Sequence, residues 1–380
     1  MRVVVQANDV VPGMGVPVAA PGLRAWGLAQ GLRAHGHDAT VFVGQRIVRT
    51  AWGAVPRTIP VPRPRHTVVA PPATMTDFVR THQADALIVT NSNRVDLLGD
   101  LGDCHLIYDF FAPKMLELEQ QAPPDKREEL LAWLEERKLA ALGRSDAVIV
   151  NGAKKVDYVK SWLDRAGKPD LPMRVTGMAL PPATPRPPAE GPVQAIVSGY
   201  LQPWSQLGSW IQAIRPLLDD GSMNLHVLLG SHWGQRGEDA PKPPAALEEL
   251  RDHPSVIGHG VLRYDDFRAL LTRCHLSIDV FARNPERELA MVTRSAVALS
   301  CGLPVMHVPF TEVSEIIREH GAGWLVDEDD VEGMEKVLRT TVSDPGELEA
   351  RRRGAVSVAQ HVLEPKAATQ GLHELLQALA

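Results

Sequence analysis

A chain of 380 residues is about two and a half times the size of a typical domain, so two domains are the first expectation. Hydrophobic residues at 44% and charged residues at 23% exclude a disordered, collagen-like or coiled-coil chain. Forty Lys and Arg against 46 Asp and Glu leave a net charge of −6, which argues against a general binder of nucleic-acid backbones and requires any bound phosphate to be met locally.

The three cysteines, Cys104, Cys274 and Cys301, are odd in number and far apart, so neither a disulfide framework nor a zinc ribbon is expected, and the compartment reads as reducing and cytoplasmic. The start of the chain, Met1 to Asp9, turns polar after a few apolar residues, too short for a signal-peptide core. No apolar run reaches the ~18 residues of a membrane span.

In chain order, β-branched runs alternate with longer amphipathic stretches, the pattern of an α/β protein with parallel sheets. Strands are predicted at Val3–Val5, Ala39–Val43, Ala86–Val89, His105–Tyr108 and Ala147–Val150. One helix is predicted from Pro21 to Gly36, with Pro21 near its start, where a missing N–H does no harm. Another runs from Asp125 to Gly143, with Leu130, Leu131, Leu134, Leu139 and Leu142 inward and Glu128, Glu129, Glu135, Glu136, Arg137 and Lys138 outward. The run Pro181 to Pro192 is neither helix nor central strand and reads as a semi-rigid linker. Beyond it the alternation restarts, with strands at Ala195–Val197, Leu225–Leu229, Leu276–Val280 and Pro304–Val308. Two similar units predict ligands outside the carboxyl ends of the strands, in a cleft between the units.

Two strand ends stand out chemically. The first strand runs through Pro12-Gly13-Met14-Gly15 into the Pro21 helix, a place suited to close approach of an anion or to a plain turn. The spaced GxGxxG of a dinucleotide dehydrogenase is absent. The segment Phe281 to Ser295 gathers Arg283, Arg287 and Arg294 with Glu286, Glu288, Thr293 and Ser295 where a strand hands over to a helix. It reads either as a pyrophosphate site or as a solvated loop with a capping Thr293.

Cys301-Gly302-Leu303-Pro304-Val305-Met306, Thr311-Glu312-Val313-Ser314-Glu315-Ile316-Ile317 and Gly321-Ala322-Gly323-Trp324-Leu325-Val326 follow one another here. In order and spacing they resemble the "ACG-x-PVV", "PE-V/I-I" and "G-x-G-x-LV" motifs of GT-B glycosyltransferases, especially glycosyltransferase family 4. Gly258-His259-Gly260-Val261, Phe267 to Leu271 and Cys274 to Ser277 are similar to that family's preceding motifs, so the likeness covers residues 193–330 well and the first half in outline. The resemblance implies two Rossmann-like domains facing across a cleft: 1–180 for the acceptor, 181–192 as linker, 193–360 for the donor and 361–380 as a C-terminal helix packing back on the first domain.

It also implies a hexosyltransferase-like enzyme. The sugar would pass from a nucleoside diphosphate sugar to a small-molecule or glycoside acceptor, with retention of configuration and without cofactor or metal. The sequence itself has no HExxH and no DxD where a diphosphate would lie. Arg294 is then the candidate for the leaving diphosphate, with Thr293 and Ser295 at the helix start and Glu286 in the same donor loop. Glycosylation of a secondary metabolite is the expected setting.

Two departures accompany the resemblance. The family's paired glutamates would fall at Leu289 and Val297; Glu288, one residue from the first, is the nearest replacement and the second has none. Where the family has Arg and Lys after the first strand of the second domain, this chain reads Gln202-Pro203-Trp204-Ser205-Gln206-Leu207-Gly208, leaving Ser205, Gln206 and Arg294 to share the phosphate. Trp204 and Trp233 follow strand ends and offer aromatic planes for a nucleobase or sugar, or pack as core, and His232 is a candidate donor to phosphate or hydroxyl. In the first half, Leu106 to Glu117 resembles the "D-L-Y-D-P-x-x-L-E" stretch of some bacterial members, making Asp109 either an acceptor-orienting or basic carboxylate, or a salt-bridged turn residue. Asn91 and Asn93 are further acceptor candidates, with Ser92 or Asn93 alternatively capping a helix. The competing readings are a sugar-nucleotide epimerase or hydrolase of the same fold, and a degenerate binding or scaffold protein.

Overall fold

The computed structural model describes residues 1–53, 62–90, 95–186, 191–202, 204–205, 208–230 and 245–380. They form two compact units, residues 1–179 with 364–380, and residues 180–363.

Short apolar strands separated by crossovers can pair only in parallel, and each unit builds one such sheet. In the first unit the strands are β1 (Arg2–Ala7), β2 (Asp38–Gly44), β3 (Thr67–Ala70), β4 (Ala86–Thr90), β5 (His105–Phe110), β6 (Ala147–Val150) and β7 (Met173–Val175), in the order β3-β2-β1-β4-β5-β6-β7. In the second they are β8 (Val193–Tyr200), β9 (Met223–Gly230), β10 (Val256–Gly258), β11 (Leu276–Asp279), β12 (Val305–His307) and β13 (Gly323–Leu325), in the order β10-β9-β8-β11-β12-β13. Both sheets reverse direction of strand order beside their first strand, between β1 and β4 and between β8 and β11, which opens a crevice at the carboxyl ends. The central strands are covered on both faces: Val3, Val4, Val5, Ile88, Ile107 and Ile149 are no more than 2% exposed.

Every strand predicted from an apolar run is present. The edge strands β3, β7 and β10 carry weaker signals, because β7 and β10 span three residues each and β3 leads directly into Pro71 and Pro72. The family-like turns serve as chain reversals. Gly302 has φ +68° between the helix Thr293–Ser300 and β12, and Thr311 caps the helix Glu312–His320, its hydroxyl accepting from Ser314 N. The proline-rich run is tied to the second unit as far as it is described. Pro181 O accepts from Arg268 at 2.5 Å, Ala183 N donates to Ser300 O at 2.8 Å, and Arg186 N donates to Thr272 O at 3.2 Å.

The last residues return to the first unit. The helix Gln370–Leu379 buries Leu372, Leu375 and Leu376, and Gly177 N donates to Ala368 O at 2.8 Å. Glycines in the helix Ala20–Ala34 let this segment and the chain leaving β7 pack closely against it. A methyl added at Gly31 would lie 2.3 Å from Pro365 O, and one at Gly27 would lie 2.2 Å from Ala179 O. Small residues let the backbones approach, which offsets the helix-interior cost of about 1 kcal/mol per glycine.

One expectation is corrected here. Lys138, predicted to face outward, is buried at 1% exposure. The helix is Arg127–Arg144, and Lys138 stands four residues from both Leu134 and Leu142, so it shares their buried face. Its ammonium lies 4.1 Å from the Phe110 ring centroid, 5.5 Å from Trp162 and 5.9 Å from Tyr108. Burial, with Lys114 adding to it, pushes the amine down to about 7. These rings answer the charge in part.

Two outcomes follow from this packing. Gly31→Ala should destabilise the fold by about 1–3 kcal/mol in chemical denaturation, as overpacking against backbone does. Gly143→Ala, where a methyl meets nothing within 4 Å, should be neutral or stabilising. For Lys138 the unfolded chain binds the extra proton between about 7 and the ordinary 10.5, so stability should rise with pH across that window. Lys138→Met should flatten this slope, its gain in melting temperature over the parent being largest at pH 7 and smallest near pH 10.

Candidate functional site

In the first unit, the loop after β1 carries Gly13 at φ +86° and Gly15 at φ +70°, conformations that favour glycine, and Pro64 packs against Gly13. Asn91 and Asn93 lie outside the described residues, as do Gln206, His232 and Trp233.

Asp109, at the carboxyl end of β5, is corrected from acceptor-orienting base to structural partner. Both of its oxygens accept from Arg24, Nε and Nη2 each at 2.9 Å, and both side chains are fully buried. The remaining Arg24 nitrogen, Nη1, donates to Thr176 O at 3.0 Å and Gly177 O at 2.6 Å. One guanidinium thus joins the end of β5 to the chain leaving β7. A signal for this was present: Arg24 stands four and eight residues before Leu28 and Leu32, on the apolar stripe of its helix.

The second unit gathers charged and polar side chains at one strand end. At the reversal between β8 and β11 a small pocket is lined by Ser198, Ser205, Trp210, Leu229, Asp279 and Arg294, among others. Asp279 ends β11 and is buried, and it was not singled out from the sequence. Arg294 Nε donates to its Oδ1 at 2.5 Å, and the Ser295 hydroxyl donates to Oδ2. Since Ser295 has spent its only proton, its oxygen accepts from His307 Nδ1–H at 3.3 Å, which leaves His307 Nε2 to accept from the Thr311 hydroxyl at 2.8 Å. Burial pushes His307 down to about 4, against the pull of Asp279, so the ring is neutral as this chain of bonds requires.

Arg294 lies at the mouth of this chain, with its side chain 23% exposed and its guanidinium 5.5 Å from the Phe281 ring centroid. Thr293 is the first residue of the helix Thr293–Ser300, whose N-cap is Val292 and whose amides have no side-chain cap. Helix-terminal N–H groups and an arginine therefore meet at one strand edge, the combination an anion needs. Ser295 does not join them, because its hydroxyl is buried and committed to Asp279.

Other predicted donor residues are corrected. Trp204 is 6% exposed, with the Arg287 guanidinium 4.6 Å from its ring centroid, so this face is covered. Glu286 is buried and holds Arg287 through both oxygens, Nη2 at 2.6 Å. Glu288 is half-buried and paired with Arg283 at 2.5 Å. Ser205, by contrast, keeps its place on the pocket: its hydroxyl accepts from Gln202 N at 3.0 Å, closing the turn after β8, and an accepting hydroxyl still has a proton to donate. Among the described residues no group of three or more His, Cys, Asp or Glu side chains gathers as a metal ion needs, and no helix is long and apolar enough to cross a membrane.

Removing one partner of a buried pair leaves an uncompensated charge, so Asp109→Asn should cost about 3–5 kcal/mol of stability in chemical denaturation. Arg24→Met combined with Asp109→Leu should recover most of that loss. A base would behave otherwise, losing turnover while keeping its stability.

By sequence the chain matches no family profile and no curated protein. By structure it is similar over its whole length to several solved proteins. Sucrose-phosphate synthase from Thermosynechococcus elongatus aligns with a TM-score of 0.68 at 14% identity, covering 100% of this chain and 99% of that one. WaaG, a glycosyltransferase of lipopolysaccharide biosynthesis, aligns at 0.64 and 13%, covering 100% and 99%. HepE from Anabaena, solved with UDP and glucose, aligns at 0.63 and 14%, covering 100% of both chains. Two Rossmann-like units, each built on its own parallel sheet, thus give this chain the GT-B fold.

Proposed function

We propose that this protein is a glycosyltransferase whose second unit holds a nucleoside diphosphate sugar and whose first unit receives the acceptor. One observation carries the reading: Arg294 stands beside the uncapped amides of the Thr293 helix, on the pocket at the strand-order reversal. A diphosphate leaving group carries charge that must be met as the glycosidic bond breaks. Fixed N–H dipoles and a guanidinium meet it without reorganising at the moment of reaction. Support for a nucleotide ligand comes from HepE, a structural neighbour solved with UDP-glucose.

The finer reading is a retaining transfer to a small-molecule or glycoside acceptor, without metal. On that route a donor phosphate oxygen takes the acceptor proton on the face where the new bond forms, and Arg294 stabilises the departing diphosphate. Asp109 takes no part, since its oxygens are occupied by Arg24.

The test is a thermal-shift screen with UDP, GDP, ADP and dTDP. Binding to the folded state alone stabilises by about 2.7 kcal/mol at a hundredfold excess over Kd, so at least one nucleotide should raise the melting temperature clearly. Arg294→Ala should abolish most of that rise, measured from the variant's own ligand-free melting temperature, which falls because buried Asp279 loses its partner. If none of the four nucleotides shifts the parent, the donor reading fails. Complete consumption of the sugar nucleotide with no acceptor present would instead favour a hydrolase or epimerase.

A further inference from the structure

The second unit lacks the Arg and Lys that its likeness to family 4 would place after β8, yet a positive charge stands at that strand end. Gly199, near the carboxyl end of β8, has φ +124°, and a methyl added there would lie 2.9 Å from Arg294 Nη1 and 3.1 Å from Arg294 Cδ. The arginine therefore reaches across from the Thr293 helix and lies on the bare backbone of β8. A cation carried by another element thus stands at the end of β8.

We infer that Gly199 and the chain Asp279–Ser295–His307–Thr311 form a positioning device that aims the Arg294 guanidinium at the diphosphate of the donor; this rests on the donor reading above. Three features of the geometry carry it. The bond to Asp279 uses Nε, so the carboxylate orients the guanidinium through its inner edge and leaves the Nη donors for a bidentate contact with phosphate. Asp279 is held in turn, because Ser295 occupies its second oxygen and His307 fixes Ser295. The last link is anchored in the fold, since Thr311 both meets His307 Nε2 and caps the helix Glu312–His320. Four elements, β11, β12 and the two helix starts, thereby agree on one orientation of one side chain.

Two groups oppose the assignment in principle, and both are accounted for. Asp279 would repel a phosphate, but its oxygens face Arg294 and Ser295 and it is 4% exposed, so its charge is answered before a ligand arrives. Arg287 is nearby on Phe281, 5.7 Å from the ring centroid, but it is paired with Glu286. The device therefore differs from a solvated ion pair, in which an arginine samples many rotamers and contributes little.

The experiment measures phosphate preference, the ratio of Kd for uridine to Kd for UDP, by calorimetry on the full-length chain, with guanosine and GDP as a second pair. Asp279→Asn and Gly199→Ala should each lower this preference by about tenfold, the loss of one charge-assisted hydrogen bond, while nucleoside affinity stays within about twofold. Asp279→Asn perturbs the buried side of Arg294 and Gly199→Ala its outer side, the latter with backbone strain at φ +124°; Ser295→Ala, which frees the second oxygen of Asp279, should lower the preference in the same direction and serves if either lowers the melting temperature. In an Arg294→Ala background, adding Asp279→Asn should change the preference no further, as for residues acting through one another. Unchanged preference in the single variants, or a further loss in the Arg294→Ala background, overturns the positioning role. A parent protein with no phosphate preference in these pairs, nor in those of adenosine with ADP and thymidine with dTDP, overturns the donor reading itself, and the inference with it.

Discussion

A charge taken out of water costs several kcal/mol unless another group answers it, and in this protein the answers set the geometry of both sheet ends. Asp109 ends β5 and Asp279 ends β11, and each carboxylate is met by an arginine from a helix. In the first unit the pair is wholly buried and saturated, since every nitrogen of Arg24 has an acceptor. In the second it is incomplete, with the guanidinium partly exposed and tethered through Nε. The same chemical motif therefore does two jobs. A closed pair ties strands together, whereas a half-open pair presents an oriented cation.

The distinction bears on function because a GT-B fold by itself names no chemistry; the site must be argued from its residues. Parallel strands with reversed order leave a crevice at their carboxyl ends, and the pocket between β8 and β11 lies there by topology. The helix beginning at Thr293 adds its amides to the same edge. What this chain adds is Arg294, supported from beneath by a buried relay in which each hydroxyl and ring nitrogen has one consistent role. The neutrality of His307 is part of that consistency, since it leaves Nε2 able to accept from the Thr311 hydroxyl while Nδ1–H donates to Ser295.

The predicted donor residues that turned out otherwise share one cause. Trp204, Glu286 and Arg287 were adjacent in expectation to a ligand, and in the fold they are adjacent to each other, so the indole is stacked by a guanidinium that a buried carboxylate holds. Polar residues in a loop can satisfy one another as readily as they can satisfy a substrate. Which of the two happens depends on side-chain directions that spacing along a loop does not encode.

From the residues alone, the fold was legible because buried parallel strands are continuous apolar runs and the intervening helices repeat at 3.6 residues; these patterns are local. The helix start at Thr293 and the turn at Gly302 were legible for the same reason, as was Arg294 beside them. Edge strands such as β7 were not, since three residues, two of them exposed, carry little pattern. Nor were the partners of buried charges. Arg24 and Asp109 are 85 residues apart, and Asp279, Ser295, His307 and Thr311 come from four elements. Their meeting is decided by strand register and helix packing, which bring distant positions within hydrogen-bond reach. The sequence by itself therefore determined that this protein has two parallel-sheet units with an arginine at a helix start. Only the tertiary structure decided which carboxylates are structural, because burial and partner geometry exist only once the sheets are assembled.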